Sequence, residues 1–543
     1  METFKLSGQI VDVVKRRIYG GVITISEGVI HSITEDPAVE GPYILPGFID
    51  AHIHIESSML IPSEFARIAV VHGTVATVSD PHEIANVLGL DGVRFMIDNG
   101  KKVPFKFNFG APSCVPATTF ETAGAAFGLA ETEALLQQEE ILYLSEMMNF
   151  PGVLGKDSEV LGKIALAKKY GKKIDGHAPG LKGNDAKMYA ESGISTDHEC
   201  FTIEEAFDKI AAGMHILIRE GSAARNFEEL IPLLKQFPEK VMFCSDDKHP
   251  DELIRGHINE LVARALSLSY DFFDVLRACT LNPISHYGLK VGLLQEGDPA
   301  DCILIRTLKD LKPFATFING IKVAEDGRSL INSVSTNLPN NFVAQAVNIK
   351  QLEIPYTGHK LRVQIAHDGQ LVTTSSFEEP YVKEGYCQSD TNRDILKMMV
   401  LNRYSDAVPA LGFIQNFGMK RGAIGSTVAH DSHNIIAIGT NDKDLLVAVN
   451  SLIKEKGGIV CVEGDDIRLL QLPVAGIMSD RKAEDVGSEY AAISASVKAL
   501  GSTLNAPFMT LSFMSLLVIP ALKLSDKGLF NGNKFALISL YDE

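Results

Sequence analysis

The chain has 543 residues, of which 45% are apolar and 22% charged, and its formal net charge is −17. That length exceeds what one hydrophobic core organises, so two to four units of roughly 100–250 residues are expected. The acidic balance argues against a nucleic-acid partner, which needs a basic face, and the ordinary composition argues against long disorder.

The N-terminal stretch METFKLSGQIVDVVKRRIYGG alternates polar and apolar residues and lacks the apolar core of a signal peptide. Seven scattered cysteines with no C-x-x-C pair read as reduced thiols. Both point to a soluble cytoplasmic protein. Residues 1–45 read as short strands, with GGVITISEGVI folding as a hairpin around a Gly-containing turn.

From residue 44 onward, short β-rich runs alternate with helix-like stretches. The runs are ILPGFID (44–50), GTVATVS (73–79), FKFNFG (105–110), ILYLSE (141–146), KKIDG (172–176), GISTD (193–197), MHILIR (214–219) and KVMFCS (240–245). Repeated strand–helix alternation predicts an α/β fold, a (β/α)8 TIM-like barrel over 46–286. An open doubly wound sheet is the alternative, but no glycine-rich phosphate fingerprint follows the first strand. GDPADCILIR and PFATFINGIKVAEDG return to strands. We expect them to complete a small β-sandwich from 1–45 and 287–345, with the barrel inserted into it. Residues 346–543 are expected to form a separate C-terminal α/β domain. Within it, APFMTLSFMSLLVIPAL (506–522) carries two prolines and is short for a membrane span, so it reads as buried core.

Barrel enzymes place their chemistry at the C-terminal ends of strands, where the loops converge on one mouth. The first run ends in Asp50-Ala51-His52-Ile53-His54; residues i and i+2 share a face, so His52 and His54 can share a metal. The fourth ends in Glu146, the fifth is followed by His177, the sixth by His198 and the eighth by Asp246 and Asp247. A single strand-end histidine is ordinarily a packed or capping residue. Six ligand types on five strand ends, in order, make a metal centre for two divalent ions the stronger reading.

At these residues the resemblance is plain. LPGFIDAHIHIESSML resembles the signature of the amidohydrolase superfamily. HIHIESSM, TVSDPHEIANVLG, LSEMMNFPGV, DGHAPG, TDHEC, REGSAARN and FCSDDKHP together resemble the adenine deaminases. Relatives in the superfamily that carry a carboxylated lysine on the fourth strand use it to bridge two metals. Here that run ends in Glu146, which the resemblance makes the bridge. The absent C-x-x-C argues against the other zinc deaminase plan, built on H-x-E with P-C-x-x-C.

The resemblance implies hydrolytic deamination of adenine to hypoxanthine and ammonia, with Mn2+ or Fe2+ as the ions and Zn2+ as a further option. Another binuclear amidohydrolase activity, on a cyclic amide or a different aminopurine or pterin, is the alternative. It assigns His52, His54 and Asp246 to one ion and His177 and His198 to the other, with Asp246 also moving the proton of the attacking water. Asp50 and Asp197 stand next to ligands and are expected to orient imidazoles. His82 and Glu83, in the SDPHE run, are candidate proton carriers or purine contacts; the equal alternative is a helix start with Ser79 or Asp80 capping and Pro81 in the first turn. Arg219 is expected to donate to ring nitrogens or to pair with Glu220, while Glu56, Ser57 and Asp247 are further substrate-contact candidates. His430-x-x-His433 with Asp431 reads as a solvated turn in preference to an extra metal site or a lid. The expected partner is a small purine, with no nucleic acid and no membrane, and the chain is expected to form a homo-oligomer, as a dimer.

Overall fold

The computed structural model describes residues 3–309 and 311–542. Both flanks of the parallel region build one sheet. Strands Phe4–Asp12, Arg17–Ser26 and Val29–Glu35 run antiparallel, and Tyr43–Pro46 joins the first in parallel. Cys302–Ile305 then pairs with Tyr43–Pro46, and Pro313–Ile318, Ile321–Glu325 and Arg328–Ser329 extend the sheet to eight strands. The predicted hairpin turns at Glu27 and Gly28, both at positive φ.

The run predicted over 44–50 is broken at Gly47: Tyr43–Pro46 belongs to the flanking sheet, and the next strand starts at Phe48. A Cβ at Gly47 would lie 2.3 Å from a Val75 methyl, so only glycine passes here.

Eight parallel strands follow: β1 (Phe48–Ile53), β2 (Thr74–Ser79), β3 (Lys106–Ala111), β4 (Ile141–Met147), β5 (Lys173–Gly176), β6 (Thr196–Asp197), β7 (His215–Arg219) and β8 (Val241–Cys244). The first five form one sheet and the last three another, in sequence order. Hydrogen bonds also link their facing edges: Ser195 N–H donates to the Ile174 carbonyl at 2.9 Å, and Asp246 N–H to the His52 carbonyl at 3.0 Å. Residues on β1 and β2 are buried on both faces, as parallel strands covered by helices require.

Beyond residue 346 the chain is richer in strands than its sequence suggests. A mostly antiparallel eight-stranded sheet runs from Leu361–Ile365 to Asp466–Gln471, flanked by helices Asp442–Glu455 and Ala483–Ala499. Its apolar residues are continuous with those of the parallel strands, so the two regions share one buried cluster. Ser479 N–H donates to the Met59 carbonyl at 2.8 Å across the boundary, and Gly487 packs flat on Ile254. The apolar segment 506–522 lies in this cluster as the short helix Pro507–Ser512 and the turn Phe513–Ser515. Among the described residues no helix is long and apolar enough to cross a membrane.

Candidate metal centre

The alternation of β1 turns His52 and His54 to the same side, with their Nε2 atoms 3.2 Å apart. Asp246, just after β8, is stitched to them through the backbone: it donates to the His52 carbonyl, and His54 N–H donates to its carbonyl at 3.3 Å. Asp246 sits at φ 54, a left-handed conformation that costs a non-glycine residue about 1 kcal/mol or more and recurs at functional sites. Its Oδ1 then lies 3.2 Å from His54 Nε2 and 3.6 Å from His52 Nε2.

Glu146, on β4, spans the gap to the other imidazoles. Oε1 lies 3.3 Å from His54 Nε2, while Oε2 lies 2.8 Å from His177 Nδ1 and 3.1 Å from His198 Nε2. Tyr189 fixes the ends of β4 and β5 against each other, donating to the Met147 carbonyl at 2.7 Å and accepting from His177 N–H at 3.0 Å. Burial disfavours charge on Glu146, yet its bonds to His177, His198 and His54 hold it well below the usual carboxylate range.

The residues present fit divalent ions. His52, His54 and Asp246 converge on one point, His52, Glu146 and His198 on a second, and His177, His198 and Glu199 on a third; all are buried and offer only nitrogen or carboxylate oxygen. His54 Nδ1 lies 3.2 Å from the Asp80 carbonyl, which fixes the ring with Nε2 forward.

Asp50 and Asp197 act on the backbone around the ligands and not on their rings. Asp50 accepts from Ser245 N–H at 3.0 Å and faces His257 Nε2 at 2.7 Å. Asp197 accepts from Ala178 N–H at 2.9 Å and Glu199 N–H at 2.7 Å. Asp197, beside His198 in an extended strand, faces the opposite side from that imidazole, while Asp50, two residues before His52, has its oxygens taken by Ser245 and His257.

Arg219 does not pair with Glu220, which lies 3.0 Å from Arg264. Its buried guanidinium takes both oxygens of Glu199 and, through Nη1, Asp246 Oδ2 at 2.5 Å. Burial would raise the pKa of Asp246, but the Arg219 charge and the bonds to His52 and His54 hold it well below normal. Glu199 escaped the reading of the sequence; its only signal was its place in TDHEC, one residue past a ligand.

The SDPHE run does not cap a helix through Ser79 or Asp80. Pro81 precedes the helix His82–Leu88, and no side chain caps it. Asp80 Oδ2 instead binds His82 Nδ1 at 2.9 Å. Ser57 Oγ lies 2.5 Å from Asp247 Oδ1 and 3.1 Å from Glu83 Oε1. Glu56 does not line the cavity and accepts from Ile84 N–H at 3.2 Å; burial, then the charge of Glu83, pushes its pKa up to about 8. Burial and then Asp246 push Asp247 up to about 6.

A small cavity stands over the ligands, bounded at the mouth of the strands by His82, Glu83 and Asp247. Its roof is Leu371, His430, Asp431, Phe513 and Leu516, all from the C-terminal region. The His430–His433 segment is therefore not a solvated turn. His430, Asp431 and His433 are all buried, because the Glu83 carboxylate sits between the two imidazoles, 2.9 Å from His430 Nδ1 and 3.1 Å from His433 Nε2. A charge buried between two bonding partners is tolerated where a lone one is not. Lys523 secures the roof from behind: fully buried, it donates to the Leu371 carbonyl at 2.7 Å and the Phe513 carbonyl at 2.9 Å. No carboxylate forms an ion pair with it among the described residues, and burial lowers its pKa to about 7.

Two family models match the chain. Residues 43–349 match the amidohydrolase family, and residues 370–536 match the adenine deaminase C-terminal domain. The adenine deaminase of Salinibacter ruber is 51% identical over 542 residues, covering 99% of each chain. The chain belongs to the adenine deaminase family of the amidohydrolases. An adenine deaminase from Sulfurovum sp. is 52% identical over 537 residues, covering 98% of this chain and 99% of that one. The likeness spans both the strands that carry the ligands and the region that roofs them.

Proposed function

We propose that the chain hydrolyses adenine to hypoxanthine and ammonia at a binuclear metal centre, with Mn2+ or Fe2+ as the ions. The observation that carries the reading is Glu146, one carboxylate with an oxygen toward each set of imidazoles, in a chain about half identical over its length to adenine deaminases. In this reading the five-stranded and three-stranded parallel sheets act as one closed (β/α)8 barrel over 46–286. The flanking unit is 1–45 with 287–345, and 346–543 forms the C-terminal domain. Assembly as a dimer is part of the same proposal.

His52, His54 and Asp246 would hold one ion, and His177 and His198 the other, with Glu146 shared. The ions supply a water whose pKa is lowered toward neutrality. Asp246 is divided between two tasks: Oδ2 is tied to Arg219, so Oδ1, which lies against His54 and His52, is the oxygen left to take the proton of the attacking water and pass it to the departing amine. Attack at C6 disrupts the purine ring, so a ring nitrogen must be protonated as the bond forms. His82 and Glu83 line the cavity beside the ligands and are the groups placed to exchange that proton. The short link from Asp80 Oδ2 to His82 Nδ1 turns His82 Nε2 toward Asp431 and the cavity.

The test is an absorbance assay of the Mn2+- or Fe2+-reconstituted protein on adenine, adenosine, guanine, cytosine and dihydroorotate. Turnover of adenine above the others is expected. No turnover of adenine overturns the reading, and turnover of dihydroorotate in its place would establish a cyclic amide hydrolase.

A further inference from the structure

We propose that His430, from the C-terminal region, binds the purine directly, its Nε2–H donating to N3 or N7 of the base, and that Glu83 and His433 exist in part to aim it. The proposal rests on the reading that a purine fills the cavity over the ligands.

His430 lies in the connection between strands Ala423–Ser426 and Ile435–Gly439. Four contacts fix it. Its N–H donates to the Ser512 carbonyl at 3.0 Å, and its carbonyl accepts from Ser515 Oγ at 3.4 Å. Its ring lies flat on Phe513, with centroids 4.4 Å apart and planes 11° from parallel. Nδ1 is 2.9 Å from Glu83 Oε1. Glu83 is in turn 3.1 Å from His433 Nε2.

The tautomer of His433 follows from its surroundings. Its Nδ1 accepts from Ala429 N–H at 3.3 Å, so the proton sits on Nε2, the nitrogen 3.1 Å from Glu83 Oε2. A carboxylate held in this way accepts from His430 Nδ1. Burial disfavours charge on His430, but Glu83 and then Asp247 push its pKa up to about 9, so Nε2 also carries a proton and is the outward donor. That atom is buried, has no hydrogen-bond partner among the described residues, and belongs to a ring that lines the cavity. Leaving a buried polar atom unmet is destabilising, a cost that a bound partner removes.

The rest of the roof narrows the partner's chemistry. Leu371, Phe513 and Leu516 are apolar, as is Met148 at the side. Apolar walls with one imidazole nitrogen between them suit a flat heterocycle offering a nitrogen at its edge. Asp431, beside His430, has Oδ1 3.7 Å from His82 Nε2 and leaves Oδ2 unmet, so a second polar contact from the same segment faces the same space. His433 does not line the cavity and is a positioning residue, as is Glu83 in this role.

The experiment uses the full-length protein reconstituted with Mn2+, with metal content, kcat and KM measured for the wild type, His430→Phe, His430→Gln and His433→Gln. Competitive binding of 3-deazaadenine and 7-deazaadenine is measured in parallel. His430→Phe should keep the wild-type metal content and lower kcat/KM roughly 10- to 100-fold, mostly through KM. His430→Gln should recover part of that loss, because its amide can still reach a ring nitrogen. One deaza analogue should bind the wild type at least 10-fold more weakly than the other, and His430→Phe should erase the difference. Equal binding of both analogues to the wild type overturns the proposal even if no variant folds. Wild-type kinetics in His430→Phe, or the loss of an ion from it, also overturns it, the latter by making His430 a metal ligand. A wild type inert toward adenine would overturn the proposed function as well; an active wild type with an indifferent His430→Phe overturns this inference alone.

Discussion

The floor and the roof of the cavity are built on different principles. Floor ligands project from the ends of parallel strands, where backbone pairing sets their spacing: Asp246 is placed against His52 and His54 by two main-chain hydrogen bonds. The roof is set by side chains. His430 is held by Glu83, by the face of Phe513 and by the turn Phe513–Ser515, which is itself secured by Lys523. A strand-end site is rigid because the sheet is rigid; a roof of this kind depends on each of its buried polar contacts being kept. Floor changes should therefore cost metal and kcat, and roof changes should cost KM with the metal retained.

The largest expected effect tests the floor. His52→Ala and Glu146→Gln should lower kcat by several orders of magnitude, with fewer ions per chain by elemental analysis and an unchanged circular dichroism spectrum. Near-normal turnover with full metal in either variant would remove that residue from the centre. Arg219→Met comes next, because it frees Asp246 Oδ2 and strands Glu199. A loss of roughly 10- to 100-fold in kcat is expected, as for partners that orient metal ligands. It should be accompanied by a fall in thermal midpoint that Glu199→Met, added to it, partly reverses. Additive falls in the double variant would show that the buried ion pair is not coupled.

Lys523→Met tests the roof through pH. With its folded pKa near 7 and its unfolded value near 10.5, Lys523 binds a proton in the unfolded chain that it lacks in the folded one between those limits. Its neutral amine has two hydrogens for two carbonyls. Wild-type stability gains from this residue as pH rises through that window, on the order of 5 kcal/mol in full, and forfeits the gain as pH falls toward 7. The thermal midpoint of the wild type relative to Lys523→Met should therefore climb between pH 7 and 10; parallel curves would show the amine to be charged in the fold. The smallest effect is expected from His433→Gln, a few-fold rise in KM with kcat kept, because its amide can still donate to Glu83.

Most of the floor was legible because its logic is local. The H-x-H spacing, the Glu146 position and the histidines after β5 and β6 all follow from a strand ending where its apolar run ends. What Arg219 and Glu199 do was not legible, because their pairing joins the loops after two separate strands. Asp197 misled because being next to a ligand in an extended strand means facing the other side, and Asp50 because its partners, Ser245 and His257, lie about 200 residues away. The roof was the hardest part. AHDSHN is short and polar between the apolar strands AIGS and IIAIG, which also describes an exposed loop. Its one distinguishing signal was two histidines and an aspartate in four residues. Their partner, Glu83, lies in another region of the chain, beyond the reach of any spacing argument.

The split at Gly47 has a consequence for synthesis. Tyr43–Pro46 leaves the ribosome early and pairs at once with Phe4–Asp12 on one side. The strand that covers its other side, Cys302–Ile305, emerges only after every ligand-bearing strand has been made. Until then the nascent chain carries a bare β edge, the kind of surface that recruits other chains. Slow elongation through the parallel strands should therefore raise the aggregated fraction, and supplying residues 287–345 in trans during translation should lower it.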